Sequence, residues 1–223
     1  MNSLRTALLA LMLLALPVAA QAYTITWDNY SVPGVSVTGI GGSLATKSQS
    51  GIGSLGISGG VNGEISIGQG LLITFDSPQI VNTLDLSLLY TSGNYGDIGD
   101  EVAGFTGSRG SGSSLQVFSN SLTADTPTSG ILTGPGSVVN LDPAVENNGA
   151  LWRITNPFGT QAVTSILLSA LDNGIAPNLG GSNTDFGLNA LSTTATPIPG
   201  SFLLLGAGMV GLGAWRRMRT TTS

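Results

Sequence analysis

Apolar and polar residues alternate with a period of two along much of this chain. In residues 81–90, Leu84, Leu86, Leu88 and Tyr90 fall on one face, with Thr83, Asp85 and Ser87 on the other, the pattern of a half-buried strand. Just before, Leu71, Ile73 and Phe75 alternate with Thr74 and Asp76, and Ser77-Pro78 predicts a break between the two strands. Strand signals recur at residues 23–27, 101–106, 114–118, 151–155, 163–171 and 185–191. Turn clusters such as Asn147-Asn148-Gly149, Asn156-Pro157-Phe158-Gly159 and Asp172-Asn173-Gly174 divide them. Helical periodicity is not sustained anywhere between residues 23 and 191. The fold class expected is all-β: a single β-sandwich, jelly-roll-like domain of roughly eight or nine short strands. Two stretches are less regular. Residues 39–70, rich in glycine, read as a hairpin with a loose loop or as a low-complexity lid; residues 123–149 read as a Pro/Gly/Asn-rich connection between sheets.

The two ends follow other patterns. Residues 1–5 form a short basic stretch, residues 6–16 are an uncharged run that is apolar after Thr6, Pro17 breaks it, and Ala20-Gln21-Ala22 is a small-x-small cleavage site before Tyr23. Residues 1–22 are thus expected to be a secretory signal peptide, too short to span a bilayer. At the other end, residues 200–215 carry no charge and are followed by Arg216, Arg217 and Arg219. Sixteen helical residues reach about 24 Å at about 1.5 Å each, slightly less than a hydrocarbon core of about 30 Å. A C-terminal transmembrane helix is expected there, with the arginines on the cytoplasmic side and Trp215 at headgroup level. The body is then expected outside the inner membrane.

Composition narrows the chemistry. Glycine supplies 33 of 223 residues, about twice the ordinary share of roughly 7%, which fits short strands joined by tight turns. Between the two ends only Lys47, Arg109 and Arg153 face all twelve acidic residues, a net charge of −9. An anionic body without a basic stripe excludes nucleic acid as a partner. The chain has no cysteine and no histidine, which removes thiolate nucleophiles, imidazole bases and the commonest zinc and copper ligands.

Several motifs imitate chemistry. Residues 206–211 and 51–56 both match G-x-G-x-x-G, but the first lies inside the apolar C-terminal run and the second has no helix after it, so neither reads as a nucleotide site. Residues 56–60 match G-x-S-x-G, whose serine needs a histidine that this chain lacks. A Ser–Lys dyad would have to use Lys47, the only lysine. Carboxylates are the remaining catalytic currency, and Asp97, Asp100 and Glu101 form the one acidic cluster. Three readings stay open for it: a solvated turn, a weak calcium loop of oxygens spaced by glycines, and a pair for glycoside hydrolysis. Calcium is the only cofactor the sequence brings into view. Trp27, Tyr30, Tyr90, Tyr95 and Trp152 are candidates for stacking on sugars, with the core as their more ordinary place.

Pro197-Ile198-Pro199, the short Leu/Gly-rich helix and the arginine stub, preceded by a Thr/Ser hinge at residues 192–196, together resemble the PEP-CTERM sorting signal. Pro197 and Pro199 match its two prolines, residues 203–213 its helix, and Arg216, Arg217 and Arg219 its basic end; Ile198 stands where the name-giving glutamate would be. The resemblance covers about 25 residues at the end, together with the signal peptide that accompanies such a signal, and implies a membrane sorting enzyme of the exosortase type as partner. The resulting map is a signal peptide at 1–22, a β body at 23–191, the hinge at 192–196 and the sorting signal at 197–219. By that resemblance the protein is an exported precursor, held at the membrane at least transiently by its C-terminal helix and then moved to the cell surface or beyond. It would serve as a non-enzymatic structural or surface component of an extracellular polysaccharide or biofilm layer. The alternatives are a carbohydrate-binding or adhesin module and a carboxylate-dependent secreted enzyme acting on polysaccharide.

Overall fold

A computed structural model describes residues 21–93, 99–142, 150–174 and 184–196. Ala20, Tyr95, Asp97, nearly all of the expected signal peptide and the whole expected sorting signal lie outside the described residues. Residues Ala22–Ala195 form a compact unit of their own. The class is all-β, as expected: a 3-10 turn at Gly112–Ser114 is the one helical element among the described residues, and no described helix is long and apolar enough to cross a membrane.

The strands are β1 (Thr24–Thr26), β2 (Val35–Ile40), β3 (Leu44–Gln49), β4 (Ile52–Ile57), β5 (Ile65–Ser66), β6 (Gly70–Ser87), β7 (Val102–Arg109), β8 (Gln116–Thr126), β9 (Ser129–Thr133), β10 (Ser137–Asp142), β11 (Leu151–Thr155), β12 (Ala162–Leu171) and β13 (Asp185–Ala195). They join in one 13-stranded sheet whose paired strands are antiparallel. β6, 18 residues long, organises it. Its first half lies between β2 and β12, its second between β13 and β11. The sheet therefore branches into two runs, β2-β6-β12-β7-β8-β9 and β4-β13-β6-β11-β10, with β3 beyond β4 and with β1 and β5 also on β13.

The break expected at Ser77-Pro78 is instead a bulge within one strand. β12 steps from Ser165 to Val163 while β6 steps from Thr74 to Gln79. A proline is tolerated there because a bulged residue owes no ladder hydrogen bond. The strand does end earlier than alternation predicts, at Ser87, because Leu88 takes a left-handed φ of 62°.

Alternate residues of both runs enter one buried cluster. Ile73, Phe105, Ile166 and Leu168 come from the first run, and Leu84, Leu86, Trp152 and Leu188 from the second. Phe105 meets Phe158 edge-on at 5.9 Å, and Tyr23 stacks on Phe75 at 6.0 Å.

Two stretches differ from the sequence expectation, and a third keeps one of its two readings. In residues 39–70 the expected hairpin forms from β3 and β4, and every residue of β4 is buried. Their turn is Ser50-Gly51, with φ of 51° and 85°, the left-handed pair that a two-residue hairpin of matching twist requires. Residues 123–142 are the rest of β8, β9 and β10 rather than an irregular connection. Four of the five residues read as a hinge are strand instead, because Ser192 to Ala195 pair with Thr83, Val81, Ile80 and Gln79 as the end of β13. Serine and threonine read as loop formers in sequence, yet threonine also suits a pleated surface whose neighbours take up its hydroxyl.

Candidate functional site

The acidic cluster sits where the chain leaves β6 and returns to β7. Glu101 is 1% exposed. One carboxylate oxygen accepts the Tyr90 backbone N–H, and the other accepts the Asp185 N–H at 3.1 Å. The Glu101 N–H in turn donates to the Tyr90 carbonyl at 3.1 Å. Hydrogen bonds from amides to an ionised acceptor are about twice as strong as neutral ones. Glu101 thus braces the end of this loop against the start of β13. Asp100 accepts the Ser92 N–H at 2.9 Å, while Asp97 lies outside the described residues. Among the described residues no group of three acidic side chains converges as a metal site.

Two further buried acids hold two of the three body cations. Lys47 is ion-paired with Glu64, whose side chain is 3% exposed. Arg153 grips Asp85 in a fork, Nε to Oδ1 at 2.8 Å and Nη2 to Oδ2 at 2.6 Å. The hydrogen bond to Asp85 and the charge of that carboxylate hold the Arg153 guanidinium above its ordinary pKa, against a smaller opposing effect of desolvation. Sequence inspection missed both pairs, because their partners lie 17 and 68 residues apart. Lys47 is therefore committed to Glu64. Ser58 of the G-x-S-x-G match accepts the Ser43 N–H at 3.2 Å, and its carbonyl accepts from Gln69. The G-x-G-x-x-G at residues 51–56 is the turn and body of β4.

The aromatic candidates are mostly structural. Trp152 is buried, and its indole N–H donates to the Leu89 carbonyl at 2.9 Å. Tyr90 is buried, and its hydroxyl accepts from Gln49 at 2.8 Å. Trp27 and Tyr30 are partly buried against the core.

The ends of the body meet. Ala22, the last residue of the expected signal peptide, is exposed, and Tyr23 beside it is buried. The Tyr23 N–H donates to Thr193 Oγ1 at 3.1 Å, the Thr193 N–H donates to the Tyr23 carbonyl at 2.9 Å, and Thr193 Oγ1 donates to Gln79 at 3.0 Å. Pro197, Ile198, Pro199, Arg216, Arg217 and Arg219 lie outside the described residues.

The outward faces of the sheet carry ladders of hydroxyls. On the first run, register sets Ser36, Thr74, Ser165 and Ser108 abreast on β2, β6, β12 and β7. On the second run, Thr24, Ser192, Thr83, Thr155 and Ser137 stand abreast. The sequence signal for these rows, serine or threonine at alternate positions of neighbouring strands, becomes visible only once the register is known. No family model, no curated protein and no solved structure matches this chain.

Proposed function

We propose that this chain is an exported precursor, sorted by an exosortase-type enzyme through Pro197-Ile198-Pro199 and the arginine stub. Its body, a jelly-roll-like β-sandwich, is a structural or surface component of an extracellular polysaccharide layer. The observation that carries the reading is the closure of the body between the expected signal-peptide cleavage point and the start of the expected sorting signal. Tyr23, the first residue after signal-peptide removal, and Thr193, near the end of β13, are hydrogen-bonded to each other. A cut before Tyr23 and another after Ala195 therefore leave every strand and the shared core in place, as a protein delivered by a removable handle requires. A non-catalytic role is supported by Glu64, Asp85 and Glu101, whose carboxylates serve as braces within the body.

The test is fractionation of cells with and without the sorting enzyme, alongside a variant with Pro197→Ala and Pro199→Ala. The protein is expected at the surface or in the medium only when the enzyme and both prolines are present. The same distribution in all three cases would overturn the reading.

A further inference from the structure

We infer that the outward face of the β2-β6-β12-β7-β8-β9 run is a docking surface for a neutral, hydroxyl-bearing polysaccharide. This deepens the reading of the body as a component of a polysaccharide layer, and rests on it. The face is a grid. Beside the row of Ser36, Thr74, Ser165 and Ser108, the next places Thr38, Leu72, Leu167, Thr106 and Ser119 abreast. A third carries Ile40, Gly70, Ser169, Gly104, Ser121 and Thr133. Rows repeat about every 6.8 Å along the strands, and strands about every 4.8 Å across them.

The hydroxyls are partly ordered by one another. Ser108 and Ser165 share a hydrogen bond of 2.5 Å, Ser121 and Thr133 one of 2.9 Å, and Thr106 donates to Ser119 at 3.2 Å. Aliphatic groups are set among and around them. Ile40, Val117, Ile131 and Leu171, four of the exposed large apolar residues of the body, all point out of this face. Leu167 and Leu171 lie over Gly70 and Gly104, where a Cβ would come within 3.1 Å and 3.0 Å of them, so the glycines keep the third row low.

Charge selects the partner. None of the paired positions on this face is Asp, Glu, Lys or Arg; the nearest acids in the same columns, Asp76 and Asp125, fall beyond the rows at opposite ends. Solvent-facing surfaces ordinarily carry about a quarter to a third charged residues, and the outward face of the other run does carry the Asp85–Arg153 pair. With a net charge of −9, the body repels a polyuronate, an anionic lipid surface or a second copy of itself. A neutral sugar chain meets no such penalty. It offers hydroxyls for the hydroxyl rows and C–H faces for the leucines and isoleucines, with direct and water-bridged hydrogen bonds both serving.

The experiment is co-sedimentation of the full chain, purified in detergent, with amorphous cellulose as the neutral probe and alginate beads as the acidic one. Retention on cellulose is expected, little changed by about 0.5 M salt because no ion pairs are involved, with none on alginate. Thr38→Glu combined with Ser119→Glu, both at exposed positions, should weaken retention at least about tenfold, the scale of a lost hydrogen bond plus a desolvated charge. Thr24→Glu on the other outward face should leave it unchanged, and far-UV circular dichroism melts establish that each variant is folded. No retention on cellulose, equal loss in the two variants, or a concentration-dependent dimer abolished by the double variant would overturn the inference. None of these results bears on the fractionation experiment, so failure here leaves the sorting proposal separately testable.

Discussion

The second half of β6 and the whole of β4 are both central and both buried, yet they reach that state by opposite means. In β6, Leu84 and Leu86 carry their own apolar surface into the core. In β4, the sequence Ile52-Gly53-Ser54-Leu55-Gly56-Ile57 leaves half of its positions nearly bare, and neighbours fill the space. The Trp27 indole lies where a Gly53 side chain would be, the Glu64 backbone lies against Gly56, and Ser54 Oγ sits at Gly187 while donating to the Gly63 carbonyl at 2.7 Å. Burial in β6 is written in the strand itself. In β4 it is written in the residues that close over it.

This contrast is open to direct attack. The largest effect is expected at the glycine with backbone against it: a Cβ on Gly56 would sit 2.5 Å from Glu64 main-chain atoms. Gly56→Ala should therefore cost about 3 kcal/mol, as overpacking against an unyielding neighbour does. That is comparable with Leu86→Ala in β6, for which about 2–5 kcal/mol is expected. Urea unfolding midpoints of the two variants compare them; a Gly56→Ala protein as stable as the parent would end the claim that β4 is closely packed on its bare side.

The brace at Glu101 comes next. Glu101→Gln retains the shape but replaces one acceptor oxygen by a donor facing a backbone N–H, and should cost about 1–3 kcal/mol. Faster amide exchange at Tyr90 and Asp185 would localise that loss. Arg153→Met leaves the buried Asp85 carboxylate without its fork, but the Arg153 side chain is 42% exposed, so solvent moderates the cost to about 1 kcal/mol. The raised pKa of Arg153 fixes the sign of its pH dependence. The contribution is fully present below the ordinary guanidinium value and is lost only as pH rises through the still higher folded value. The deficit of Arg153→Met should therefore stay constant from neutral to mildly alkaline pH in thermal melts. Smallest of all, Ser50→Asn suits the left-handed turn position better and should gain about 0.5 kcal/mol.

What was legible in the sequence follows the same division. Alternating leucines, isoleucines and valines marked β11, β12 and the core face of β6, because a large side chain reports its own burial. β4 was hidden by its glycines and β10 by its turn-forming neighbours. Ser192 to Ala195 were hidden because Thr193 turns inward only by virtue of Tyr23 and Gln79, both far away in sequence. Glu101 was singled out as acidic, but its role depends on two backbone amides that no side-chain pattern announces. The hydroxyl grid and its lack of charge emerge only from register, which sets serines and threonines of five neighbouring strands abreast.

The late end of β13 bears on the central proposal, since it confines any accessible cut to positions after Ala195. Intact mass spectrometry of the protein recovered from the surface or medium of cells containing the sorting enzyme tests this most directly. The account predicts a species that begins at Tyr23 and ends between Thr196 and Gly200. A species that still includes Trp215 and the arginines would contradict it.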